Sequence, residues 1–162
     1  FNNALKKFMD KYRYKSSPYA DIGTFVKMIK DDTPDDLVYL VDDTFSKITL
    51  YENKAKNASA ILNDDGSYDV TFTVEAKKVY SDSTGVQTKA KLNDWLEIGI
   101  LGEDELSGKK IEIPILLEKV FITDSVTTYT YNVNQKPFKA GIDPMNKFID
   151  RVIDDNIVRV EF

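Results

Sequence analysis

Apolar side chains return every three to four residues along the first third of the chain. Leu5, Phe8, Met9 and Tyr12 stand at i, i+3, i+4 and i+7, the stripe of an amphipathic helix. Ser16, Ser17 and Pro18 break that pattern, and Asp21 is a suitable N-cap for a second helix carrying Ile22, Phe25, Val26 and Ile29. A third start signal lies in Thr33-Pro34-Asp35-Asp36. Thr33 is expected to cap, Pro34 to occupy N1, and the two aspartates to face the positive end of the helix dipole. Leu37, Leu40, Val41 and Phe45 then supply the expected buried stripe.

Past residue 46 the period falls to two. Ile48 and Leu50 open a strand, and Tyr68, Val70, Phe72, Val74 and Ala76 alternate with polar residues along another. Asp65-Gly66 immediately before it reads as a hairpin turn, and Asp82-Ser83-Thr84-Gly85 as another turn. Further strands are predicted near 95–101, 111–122, 126–134 and 157–162, with Tyr129, Tyr131 and Val133 on one face. Pro114 points to an edge strand or a bulge. Gly141 suits a close backbone approach, and Asp143-Pro144 a turn before the last strand. Trp95 is expected to anchor the core, with an exposed sugar platform as the other reading. The pattern predicts an α+β chain: short helices over residues 1–46, then an Ig-like antiparallel β-sandwich over 47–162.

Composition narrows the chemistry. The 162 residues include no cysteine and no histidine. This excludes a disulfide framework, thiol nucleophiles, Ser-His-Asp and Cys-His triads, and a His-Glu-x-x-His zinc site made by this chain. Hydrophobic residues make up 42% and charged ones 30%, as in globular domains. The net charge of −5 argues against a general nucleic-acid partner. Within residues 1–15 five cations face Asp10, a balance of +4, which leaves −9 for the remainder. These cations, interleaved with aromatics, read as the wet side of a helix whose apolar stripe meets a partner. No apolar run is long enough to span a bilayer, and no signal peptide is legible.

Motif matches add little. Ser107-Gly108-Lys109-Lys110 has the Ser-x-x-Lys spacing, but in a polar turn and without companion motifs. Asn57-Ala58-Ser59 fits a glycosylation pattern that is frequent by chance. Five Asp-Asp pairs, at 31–32, 35–36, 42–43, 64–65 and 154–155, lack the spacing of a calcium loop and are expected mostly to cap helices and shape turns. A carboxylate pair for glycoside hydrolysis stays open, with no pair singled out.

The run LKKFMDKYRYKSSPYADIGTFVKMIKDDTPDDLVYLVDDTFSKITLYENK (residues 5–54) resembles the end of the catalytic region of gluzincin zinc aminopeptidases, the aminopeptidase N-like family. It is similar to a bacterial branch fused behind an ABC-type permease. VTFTVEAKKVYSDSTG, LNDWLEIGI and KPFKAGIDPMNKFIDRVIDDN look like that branch's C-terminal β domain, so the resemblance covers nearly the whole chain. Phe45 stands where the wider family often has tryptophan.

The resemblance implies that the zinc-binding His-Glu-x-x-His lies upstream of Phe1, so that this chain holds no catalytic residue and needs no cofactor of its own. It implies a non-catalytic C-terminal accessory domain packing on a peptidase module, with Leu5, Phe8, Phe25 and Ile29 as the docking face. A second copy pairing through the helices is the other partner expected. A permease fusion would set the domain beside a membrane on the extracytoplasmic side, although the residues themselves assign no compartment. The alternative of a different class is a stand-alone Ig-like binding or adhesion module recognising protein or glycan.

Overall fold

A computed structural model of the chain describes residues 1–106 and 108–162. Among them are three α-helices and ten strands in three antiparallel sheets, an α+β fold. Ser107, of the Ser-x-x-Lys match, lies outside the described residues. The chain divides into two compact units, Phe1–Thr49 with Ser81–Gly85, and Leu50–Tyr80 with Val86–Phe162.

The first unit holds α1 (Asn2–Tyr12), α2 (Ile22–Asp31) and α3 (Val38–Phe45). Asp21 caps α2 as its position predicts: its carboxylate accepts from the Thr24 N–H at 2.9 Å and from the Thr24 hydroxyl at 2.7 Å. These bonds hold the Asp21 carboxyl below the usual range. The expected cap of the third helix does not form. The Thr33 hydroxyl donates to the Ile29 carbonyl at 2.6 Å, so it closes α2 instead. Pro34, extended at ψ 144°, then leads a 3-10 turn over Asp35–Leu37 ahead of α3.

The small core of this unit joins Ala4, Ile29 and Val41, with Phe25, Val26 and Met28 packed against it. Phe45, expected in the buried stripe, is exposed. On α1 the inward face is Ala4, Phe8 and Tyr12, while Leu5 and Met9 are exposed. The stripe rotates because the partner helix, not α1's own periodicity, decides which residues are covered.

The β elements are β1 (Ile48–Tyr51), β2 (Lys54–Leu62), β3 (Tyr68–Glu75), β4 (Lys78–Ser81), β5 (Gln87–Lys89), β6 (Asp94–Leu106), β7 (Lys109–Ile122), β8 (Val126–Val133), β9 (Lys139–Ile142) and β10 (Ile157–Arg159). The sheet orders are β1-β4-β5, β10-β9-β6-β7 and β2-β3-β8. Val70, Phe72 and Val74 of β3 meet Leu96, Ile98 and Ile100 of β6 and Ala140 and Ile142 of β9 in one apolar cluster. The Asp65-Gly66 turn joins β2 to β3 as predicted, with Gly66 at φ +85°. Beyond β10 the chain bonds to β2: Glu161 accepts from the Ala60 N–H at 2.7 Å and donates to the Ala58 carbonyl at 3.0 Å.

Pro114 meets both expectations. Strand β7 is a sheet edge, and the register steps from Ile100 opposite Leu116 to Leu101 opposite Pro114, leaving Ile115 as the bulge residue. Strand β2, by contrast, carries no clear alternation in sequence. A register shift between Ala55 and Asn57 moves the buried positions from Ala55 to Ala58 and Ala60, so the period of two is broken within the strand. Strand β9 occupies the stretch expected only to approach closely and turn, and Gly141 within it sits opposite Ile157.

Tyr129 and Tyr131 of β8 share the face expected of them, with ring centroids 6.4 Å apart. Burial, then the Glu118 carboxylate beside it, pushes the Tyr131 hydroxyl up to about 12. An unfolded tyrosine ionises near 10, so between about pH 10 and 12 the unfolded chain gives up this proton first, and stability falls as pH rises through that window. Urea unfolding of the native chain is therefore expected to lose stability more steeply from pH 10 to 12 than unfolding of the Tyr131→Phe variant. Parallel pH profiles would show that Tyr131 does not carry the effect.

A lysine-lined cleft beside an exposed aromatic pair

The alternation of β3 extends past its end. Tyr68, Val70, Phe72, Val74 and Ala76 occupy the inward phase, and the next residue in that phase is Lys78. Across the cluster, Asp94 likewise shares its phase with Leu96, Ile98 and Ile100. Two charges are thus carried inward by strand geometry. Lys78 is 3% exposed and Asp94 0%. They meet, Lys78 Nζ lying 2.8 Å from Asp94 Oδ1. The Tyr51 hydroxyl donates to the same oxygen at 3.0 Å, and the Asn93 N–H to Oδ2 at 3.1 Å. The ammonium also lies 5.9 Å from the Tyr51 ring centre and 5.8 Å from that of Tyr80. A buried ion pair repays its desolvation only with such added partners.

Above this pair opens a cleft of about 830 Å³. Its walls are the end of β3, the start of β4, residues 89–93 and the turn 123–125. Backbone bonds tie them, from the Ala76 N–H to the Ser125 carbonyl and from the Ala90 N–H to the Lys78 carbonyl, both 2.9 Å. Lys77, Lys78, Lys89 and Lys91 line it, with Glu75 and Asp124 as its carboxylates. Several of these charges are already answered. Lys77 bonds Glu52, and Lys56 bonds Glu75 and holds that carboxyl below the usual range. Lys91 reaches the Asn93 amide oxygen at 3.0 Å once that amide is turned to accept. Lys89 and Asp124 have no side-chain partner among the described residues.

One rung along the β6–β7 ladder from Asp94 and Ile122, Trp95 stands opposite Phe121. Their ring centroids are 5.4 Å apart, and they are 45% and 48% exposed. This corrects the expectation of Trp95 as core anchor. Adjacent strand residues face opposite ways, so the inward phase of Leu96, Ile98 and Ile100 turns Trp95 out. Further along that outer face Pro144 covers Gly99, and Lys147 holds Glu97 through both carboxylate oxygens at 2.7 Å.

The turn residues expected at 141–144 do structural work here. Gly141 is pressed against the backbone of Asn156 and Ile157. Asp143, at φ +45°, accepts from the N–H groups of Lys147 at 2.8 Å and Phe148 at 3.0 Å. Burial raises the Asp143 carboxyl above its ordinary value.

The four residues expected on a docking face are not equivalent. Ile29 is 5% exposed and belongs to the helical unit's own core, which corrects its assignment to an open surface. Phe8 and Phe25 are half-buried against each other, ring centroids 4.9 Å apart. Leu5 remains exposed, as do Phe1, Met9 and Ile22. The aspartate pairs form ion pairs more than caps or turns: Asp32 with Lys7, Asp42 with Lys30, Asp43 with Lys47, Asp155 with Lys54. Asp65 is the one that shapes its turn as expected, accepting from the Ser67 N–H at 2.9 Å.

Among the described residues no three metal-ligating side chains converge, and the chain supplies no histidine. The residues of this chain do not make a His-Glu-x-x-His zinc centre. No helix of the described residues is long and apolar enough to cross a membrane. Comparison with models of known families, with curated proteins and with solved structures finds no match.

Sequence reasoning missed Lys78, Asp94, Lys89, Lys91 and Phe121. For the first two a signal was present, since each is a charge placed in the apolar phase of a strand. For the others none was, because the cleft joins three separate segments, 75–78, 89–93 and 123–125.

Proposed function

We propose that the chain is a non-catalytic recognition module, an Ig-like β-sandwich that presents Trp95 and Phe121 to a protein or glycan. The observation that carries this reading is the exposed aromatic pair. Two large rings held side by side on a hydrogen-bonded ladder lose little further freedom on binding, and aromatic side chains of this kind dominate recognition surfaces. Trp95 is the sole tryptophan, so its emission reports on this spot alone. Titration with a panel of oligosaccharides and cell-surface proteins is expected to shift that emission to the blue with at least one of them. Trp95→Phe, Phe121→Ala is expected to melt within about 2 kcal/mol of the native chain, since both rings are half in water, and to lose the interaction as read by calorimetry. A panel that leaves the emission unmoved would sink the reading.

A second reading rests on the helices. Phe1, Leu5, Met9 and Ile22 leave an apolar strip uncovered on α1 and α2. This supports an accessory role in which the strip docks on the peptidase module of a zinc-aminopeptidase-like parent, of the permease-fused branch the sequence resembles. Hydrogen exchange in α1 and α2 is expected to slow when the chain is joined to such a module, and unchanged exchange would count against docking there.

A further inference from the structure

We infer that the lysine-lined cleft and the Trp95–Phe121 pair together bind an acidic polysaccharide, one bearing uronate carboxylates or sulfates. The inference rests on the recognition reading and gives it a ligand class. Trp95 and Phe121 lie one rung from Asp94 and Ile122, and the residues flanking that rung, Asn93 and Thr123, line the cleft. The two strands that carry the rings therefore also supply an edge of the cleft.

The charges divide into those the fold uses and those it leaves. Lys77, Lys78 and Glu75 are committed to Glu52, Asp94 and Lys56. Lys89 and Lys91 remain, the first unpaired and the second on a neutral amide, against the single carboxylate of Asp124. Lys89 closes β5 and Lys91 follows two residues on, and both line the cleft. Two cations one way and one anion the other favour a ligand with spaced negative charges, in a chain whose overall balance is −5. Asn93, Thr123 and Ser125 add amide and hydroxyl groups matched to sugar hydroxyls. The half-exposed rings supply a flat apolar surface for the C–H face of a pyranose. A nucleic acid is the poorer fit, because its dense phosphates need many cations and meet a net-negative protein.

The test uses the whole chain with three probes of matched length: polygalacturonate oligomers, neutral dextran oligomers and polyglutamate. Trp95 emission and calorimetry are read at low and high salt. Polygalacturonate is expected to shift the emission and to bind less tightly as salt rises. Lys89→Ala with Lys91→Ala is expected to weaken it by about tenfold or more, as loss of charge-assisted hydrogen bonds does. Trp95→Phe should shift the affinity less than Trp95→Ala if the ring stacks. Both lysines are exposed, so an unchanged melting curve confirms that the double variant is folded.

The inference is overturned if dextran or polyglutamate binds as tightly as polygalacturonate, or if the double lysine variant binds like the native chain. A response to dextran alone would leave the recognition reading standing while removing this one. No response to any probe, with a protein partner found for Trp95, would have the same effect.

Discussion

Lys78→Ala is expected to cost the β unit about 3–5 kcal/mol in urea unfolding. The ammonium and the Asp94 carboxylate are both withdrawn from water and lie 2.8 Å apart. Removing the lysine leaves a wholly buried carboxylate that accepts from the Tyr51 hydroxyl and the Asn93 N–H. Those two bonds do not replace a full positive charge. Replacing both members by apolar residues of similar shape, Lys78→Met with Asp94→Leu, should recover much of the loss, because no buried charge is then unpaired. If the single variant unfolds like the native chain, the pair is not desolvated as described. If the double variant is worse than the single, the pair is part of a wider polar network.

Gly141→Ala is expected to cost about 3 kcal/mol or more, at the upper end for overpacking. A Cβ at this position would overlap the Asn156 carbonyl oxygen and come within 2.9 Å of the Ile157 Cα. Both obstacles are backbone, so no rotamer change relieves them. The strands β9 and β10, paired here with Gly141 opposite Ile157, would have to part. The Ile142 N–H, which donates to the Asn156 carbonyl at 2.9 Å, would be the first ladder bond to open. Unfolding midpoints and hydrogen exchange at Ile142 check the two halves of this expectation. Gly66→Ala, where nothing lies near the added carbon and only the positive φ is unfavourable, should cost about 1 kcal/mol.

The difference between these two glycines shows how far local pattern reaches. Gly66 was legible because a Gly after Asp between two stretches of chain is a turn signal contained in adjacent residues. Gly141 was legible as a point of close approach, but its partner was not, since Asn156 lies 15 residues on and meets it through strand pairing. The same division holds for the helices. Asp21 bonds Thr24, three residues away, and was readable. Thr33 looked like a cap by the same rule, yet its hydroxyl found the Ile29 carbonyl behind it. Strand β2 was lost because a bulge breaks its alternation, and β4, β5 and β9 because three or four residues carry too short a pattern.

At the candidate site the sequence held half of the information. Lys78 and Asp94 announce themselves as charges in the apolar phase of strands, and that signal requires no partner to be known. Which charge they meet, and that a cleft opens over them, depends on β3, β4, β6 and the 123–125 turn coming together.

The sequence by itself determined the order of helices before strands, the Asp21 cap, the Asp65-Gly66 turn, the disruption at Pro114 and the lack of any histidine or thiol chemistry. Each follows from residues within a few positions of one another, or from a count. Only the tertiary structure decided that Trp95 faces water beside Phe121, that Ile29 belongs inside the helical unit, and that Lys89 and Lys91 border the same cleft as Asn93. The reason is one of range. A period of two fixes which residues of a strand share a face, but the face that turns inward is chosen by the sheet it packs against.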